Sequence, residues 1–339
     1  MSGLRSLAPG LLFRVISQLQ APVAEPAKAF PPASGLRSRT LCSPAASLGA
    51  RRRTDYDGAV PRSPQRIVCL TEETVETLYR LGVGDRVVGI SAYAVRPPEV
   101  ASKPRVCAFV KARYDKIEAL RPDLVLAFSD LQGDIVAELM RRGMTVVGFN
   151  QRRVAEILDM IELLGRLVDR VGPARELIAE LEANLDAARR RAATLPRRPR
   201  VFFEEWDEPL IGGIAWSIEL VELAGGTYVF PEHLDAGLGK DRTVTADEVL
   251  ARSPELILAS WCGKKFDPQA VVMRPGWDDV PAVRGGHLVE LDPAVALQPG
   301  PAVLSDGVRA ISDAIAAAAR SASPEVRASA GHDGAAPVR

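Results

Sequence analysis

From residue 66 to about residue 320, short apolar runs alternate with stretches of helical period. Residues 67–70, 87–90, 124–128 and 145–149 are bounded apolar runs rich in β-branched side chains, the pattern of strands buried on both faces. Between them, 72–81 and 130–142 have helical spacing and stop at Gly82 and Gly143. Strand, helix, strand, helix predicts a parallel sheet covered by helices. Two long helical patterns follow. The first, 154–171, puts Ile157, Ile161, Leu164 and Val168 on one face. Gly172-Pro173 is expected to break it, with Pro173 opening a new helix over 173–194 that buries Leu177, Leu181 and Leu185. That helix would be about 33 Å long. The alternation then resumes through 201–203, 218–223, 256–260 and 288–291, and a last helix covers 302–319.

The two halves repeat. Asp115-Lys-Ile-Glu-Ala-Leu-Arg-Pro-Asp-Leu-Val-Leu-Ala127 and Asp247-Glu-Val-Leu-Ala-Arg-Ser-Pro-Glu-Leu-Ile-Leu-Ala259 agree at six of thirteen positions, 132 residues apart. Each reads as a short helix, a proline-marked turn and a buried strand. Arg66-Ile-Val and Arg200-Val-Phe open the halves, and 76–82 and 219–225 are helix ends closed by glycine. The expected architecture is α/β: two similar lobes with parallel-type sheets, 66–172 and 198–320. A single long helix, 173–194, joins them and leaves a ligand cleft between. Such clefts, and the carboxyl ends of parallel strands, are where ligands settle. A single rigid helix also implies only small closure on binding.

Composition narrows the function. With 43 basic and 43 acidic residues the chain is formally neutral, which speaks against a nucleic-acid partner. Residues 1–65 differ from the rest: nine basic residues, three acidic ones and eight prolines read as a disordered leader, or as a start placed too far upstream. A clean secretory signal is missing there, because Pro9, Arg14 and Gln18 interrupt the apolar stretch. Residues 321–339 read as a disordered tail. Four scattered cysteines make no disulfide framework, and three histidines leave little for a histidine metal site. No apolar run is long enough for a membrane span.

Aromatics are 5% of the chain, yet they recur at expected strand ends: Tyr93, Phe109, Phe128, Trp206 and Trp261. As a set they favour a large, flat, mostly apolar ligand, while singly each could pack on its own lobe. Glu205, Asp292 and Gln298 would add polar contacts. Glu204 and Glu205 are strand neighbours that point to opposite faces, so they are no facing acid–base pair. Cys262 has no histidine with a claim to activate it; it is a small thiol that could touch a bound metal centre. Gly82-Val-Gly84 follows a helix, and Gly237-Leu-Gly239-Lys240 lacks phosphate-loop spacing. No catalytic residue emerges. Asp115 and Asp247 occupy equivalent helix starts, where they either cap the helix or pair with basic residues of a symmetric partner.

On Gly89-Ile-Ser-Ala-Tyr93 with Pro97-Pro98, on 117–127 and on 245–259, the chain resembles the periplasmic-type binding proteins for cobalamin and ferric siderophores, which feed ATP-driven importers. The cobalamin branch is the most similar. The resemblance implies two lobes on one helix, no enzymatic activity, no catalytic cofactor, a monomer, and a periplasmic or membrane-associated location. It implies aromatic pocket walls at Tyr93 and Phe109, and permease-docking acids at Asp115 and Asp247, shorter here than the glutamates common in the family. Phe203-Glu-Glu-Trp206 and Ser260-Trp-Cys-Gly263 are similar to a cobalamin-binding subgroup. The expected function is capture of a corrinoid between the lobes and delivery to a permease. The alternatives are a ferric-siderophore or haem binder of the same fold, and a cytoplasmic corrinoid- or metal-handling protein centred on Cys262.

Overall fold

The first sheet is built on the fully buried strand Leu124–Phe128, whose five residues all lie below the surface on both faces, as a central parallel strand must. The computed structural model describes residues 63–321, which hold two sheets. In chain order the N-terminal lobe contains β1 (Ile67–Cys69), α1 (Glu72–Arg80), β2 (Val87–Ser91), β3 (Arg105–Ala108), β4 (Lys111–Ala112), α2 (Tyr114–Ala119), β5 (Leu124–Phe128), α3 (Gly133–Arg141), β6 (Val146–Phe149) and α4 (Val154–Leu167). Its sheet order is β4-β3-β2-β1-β5-β6, parallel except for the short β3–β4 hairpin. Then α5 (Val171–Ala192) leads to β7 (Arg200–Asp207), β8 (Leu210–Gly212), α6 (Ala215–Leu223), β9 (Thr227–Tyr228), α7 (Ala246–Arg252) and β10 (Leu256–Ala259). The chain ends through α8 (Pro268–Val272), α9 (Pro281–Gly285), β11 (Leu288–Glu290), α10 (Pro293–Ala296) and α11 (Val308–Arg320). The second sheet runs β11-β10-β7-β8. The outer edge of β7 is shared between parallel β9 at its start and antiparallel β8 at its end.

The repeat has a shared base. Arg66 and Arg200 exchange backbone hydrogen bonds with the residue before the central strand: the Asp123 and Glu255 N–H groups donate to Arg66 and Arg200 carbonyls at 2.9 and 2.8 Å. In return those same acids accept the Arg66 and Arg200 N–H groups, both at 2.9 Å. Each arginine side chain then binds carbonyls at the preceding turn, Leu120 and Arg121 in one lobe and Ser253 in the other. The turns match too, since Arg121 (φ 44°) and Ser253 (φ 52°) are both left-handed. A non-glycine residue there costs about 1 kcal/mol, which the side-chain and backbone bonds around it must offset.

The joining helix begins at Val171, so Gly172 and Pro173 lie inside its first turn rather than between two helices. A first turn has no intrahelical acceptor for its N–H groups, so proline costs little there. Ala174, Leu177, Leu181, Leu185 and Ala188 form its buried stripe, packed against α4 and α11. The last helix also departs from the simple pattern: Val303–Gly307 is a wider π-turn before α11. The folded unit starts before residue 66, since the Gln65 N–H donates to Asp123 at 2.7 Å. The expectations for residues 1–62 and 322–339 lie outside the described residues.

The chain passes between the lobes a second time. The Pro299 carbonyl accepts from Gln151 Nε2 at 3.0 Å. Asp306 binds Arg96 at 2.8 Å, and Arg96 also reaches Glu76. Gly300 lies so close to α1 that a Cβ there would meet the Glu73 Cβ at 2.7 Å. No helix among the described residues is long and apolar enough to cross a membrane.

Candidate functional site

The carboxyl ends of both sheets carry residues that feel each other across the gap between the lobes. Cys262, in the loop after β10, is solvent-accessible yet recessed. Burial pushes its thiol up to about 11, with added repulsion from Glu205 of its own lobe and Glu72 of the other. Tyr93, after β2, is raised by burial first and then by Cys262 and Glu72. Arg152, after β6, is lowered by burial, with Asp130, Arg242 and Glu205 acting on it in turn. Glu72, Tyr93 and Arg152 of one lobe thus lie within electrostatic reach of Glu205, Arg242 and Cys262 of the other.

On the N-terminal wall, Tyr93 is 43% exposed and presents the largest open aromatic surface among the described residues. Ser91 Oγ donates to Glu72 at 2.5 Å and accepts the Tyr93 N–H at 3.2 Å. Glu72 is pushed above its ordinary range by burial, against that Ser91 bond. Phe109 is half-buried in a left-handed turn (φ 51°), its carbonyl held by Gln132 Nε2 at 2.8 Å. Phe128 is buried beneath the Arg152 guanidinium, 5.6 Å from the ring centre. Arg152 in turn binds Asp130 at 2.9 Å and Ser129 Oγ at 3.0 Å.

On the C-terminal wall a bulge in the β7–β8 pairing falls between Glu204 and Trp206, with Glu205 at the bulge. Glu205 binds the almost wholly buried Arg242 at 2.5 Å, and the same guanidinium donates to the Gly212 carbonyl. Glu204 points the other way, fully buried, with both oxygens on Arg274 at 2.7 Å and a bond from Trp261 Nε1 at 3.0 Å. Trp261, at 2% exposure, is therefore packed within its lobe, edge-on to Phe266, rather than open to the cleft. Trp206 is also largely buried, and Lys264 covers it. Asp292 caps α10 by accepting the Ala294 N–H at 2.8 Å, and Gln298 is buried just before the second crossing.

Asp115 and Asp247 are not helix caps. Thr245 Oγ1 caps α7, in a capping box with Glu248, and the residue ahead of α2 is Arg113. Asp115 is almost fully exposed, with Arg142 at 3.8 Å its nearest partner. Asp247 is exposed and makes no ion pair or hydrogen bond among the described residues. Among those residues no group of three or more His, Cys, Asp or Glu side chains gathers as a metal site. Glu72, Arg152 and Arg242 went unsingled in the sequence. Glu72 and Arg152 each come three residues after a strand end and could have been found that way, whereas Arg242 comes from a 3-10 turn with no such signal.

A family model described as periplasmic binding protein matches residues 67–295. The chain belongs to that family. Family members are substrate-binding components of ATP-driven importers, and this chain is one of them. Among its relatives, an uncharacterised ABC transporter substrate-binding lipoprotein of Bacillus subtilis is 25% identical over 272 residues, covering 77% of this chain and 83% of the relative. The vitamin B12-binding protein of Vibrio cholerae is 27% identical over 206 residues, 60% of this chain and 72% of the relative. Among solved structures, the periplasmic vitamin B12-binding protein of Vibrio cholerae superposes with a TM-score of 0.62 at 24% identity, covering 76% of this chain and 99% of that one. A periplasmic heme-binding protein from Pseudomonas aeruginosa gives 0.67 at 20%, covering 75% and 93%. These structural likenesses establish the two-lobe fold.

Proposed function

We propose that the chain captures a corrinoid between its lobes, outside the cytoplasmic membrane, and hands it to the permease of an ATP-driven importer. The observation that carries this reading is the charge balance of the cleft. Arg152, Arg242 and Lys264, basic side chains of the two walls, are each bound to a carboxylate, and Glu72 and Glu205 both act on Cys262. A ligand with propionates or other free carboxylates would find these three cations already paired and would meet the Glu72 carboxyl beside Tyr93. A ring whose rim carries carboxamides has donors for those acids and a flat face for Tyr93. The curated relatives named for vitamin B12 binding agree with this choice. Asp115 and Asp247, exposed at matching positions of the two lobes, are the acids we assign to permease docking.

Titration of the full chain with cyanocobalamin, followed by tryptophan fluorescence and calorimetry, tests the ligand. Saturable one-to-one binding is expected, weakened about tenfold in Tyr93→Ala, the cost of one lost aromatic contact. A folded protein that ignores cyanocobalamin but binds hemin or a ferric siderophore would reject the corrinoid in favour of those ligands.

A further inference from the structure

Lys264 has an unusual place. Its ammonium lies 4.7 Å from the Trp206 ring centre and 4.6 Å from that of Trp261, and binds Asp207 at 2.5 Å. Both indoles are fixed from behind: Trp206 Nε1 donates to the Glu208 carbonyl at 2.8 Å, and Trp261 Nε1 to Glu204 at 3.0 Å. Paired aromatic faces with an acid beside them are how proteins hold ammonium groups. Here the chain fills the cage with its own side chain. The left-handed turn at Gly263 (φ 80°) lets Cys262 face the other lobe while Lys264 folds back. Trp206 follows Glu205 across the β7 bulge, and Lys264, whose side chain is 34% exposed, is two residues from Cys262, so the covered rings lie beside the groups that reach toward the other lobe.

We infer that Lys264 is a built-in cover on the aromatic wall of the C-terminal lobe, and that it decides on which side of the cleft a flat ligand stacks. With the indoles occupied, Tyr93 is left as the stacking surface and the C-terminal wall meets the ligand with polar groups. The stacking half of the inference rests on the flat-ligand reading above; the covering half does not.

Acrylamide quenching of the ligand-free full chain tests the cover. All four tryptophans lie in the C-terminal half of the chain. Lys264→Ala should raise the quenching constant about twofold, and adding Trp206→Phe should remove most of that gain. An unchanged constant in a folded Lys264→Ala protein overturns the cover. Asp207→Asn, which keeps the lysine but releases its ammonium, should raise quenching less; no rise there overturns it equally. Titration with cyanocobalamin then reads the stacking half. Lys264→Ala should bind several-fold tighter, having gained a second aromatic wall, and equal or weaker binding overturns this role. If the wild-type chain ignores cyanocobalamin, the corrinoid reading fails by itself, and hemin serves as the flat probe in the same comparison. Binding of neither overturns the stacking half, with quenching still deciding the cover.

Discussion

The two lobes are alike at one end of their sheets and unlike at the other. At the amino ends of the strands, Arg66, Arg121 and Asp123 are matched by Arg200, Ser253 and Glu255, down to the same backbone bonds and the same left-handed turn. At the carboxyl ends the match is lost. Where β1 runs out into buried, apolar Leu70, β7 continues through Glu204, Glu205 and Trp206 into a hairpin. The base solves a problem common to both lobes, starting a strand and satisfying its first N–H groups. The tips line the site we propose for the ligand, where residues would answer to its chemistry rather than to the strand. Even their buried acids differ: Glu204 is held by Arg274, whereas among the described side chains Glu73 has only the Thr71 hydroxyl, at 2.6 Å.

The sharpest way to break this comparison is at Glu204. Glu204→Ala strands Arg274, 13% exposed, and should cost about 3–5 kcal/mol by denaturant titration. Near-UV circular dichroism should change as Trp261 loses its anchor. The N-terminal acid should respond through pH. Burial, with repulsion from Glu72, pushes Glu73 up to about 8 from the ordinary carboxyl value of 4.5. The folded protein thus holds a proton that the unfolded chain gives up above the lower value. Stability should then fall as pH rises from 4.5 toward 8, by at most about 1.4 kcal/mol per pH unit. Glu73→Gln should flatten that slope in melting curves from pH 5 to 8, and an unchanged slope would show that other groups set it.

At the shared base the comparison should hold. Glu255→Ala removes a buried acceptor of the Arg200 N–H and of Arg197, and should cost about 2–3 kcal/mol. Asp123→Ala, at a more exposed site, should cost about 1 kcal/mol. A Glu255→Ala protein as stable as wild type would mean that the repeat is a likeness of shape only. The smallest effect belongs to Asp115→Asn with Asp247→Asn. Stability should stay within about 0.5 kcal/mol, since neither carboxylate supports the fold. Uptake in cells should be lost while ligand binding stays; intact uptake would sink the docking assignment.

The frame was largely legible in the sequence because buried parallel strands and amphipathic helices leave periodic marks. The central strands, the joining helix and the thirteen-residue repeat all lie where those marks are. Short edge elements such as β4, β8 and β9 are set by neighbouring strands and carry no period of their own. The site was legible only by position. Strand-end reasoning named Tyr93 and Phe109 together with Trp206 and Trp261, and it could not tell an open ring from a covered one. Trp261 and Trp206 are indistinguishable from Tyr93 until Lys264 and Glu204 are placed in space.

The second crossing, at Pro299, Gly300 and Asp306, bears on how the protein is made. The N-terminal lobe finishes its own last strand at Phe149, yet the pieces that seal α1 arrive more than a hundred residues later. At about 5–20 residues per second, that lobe waits on the order of ten seconds on the ribosome with one flank bare. A chain cut after the matched family region, at residue 295, would leave it so permanently. The tail of the C-terminal half is thus the last part of the N-terminal half to be synthesised.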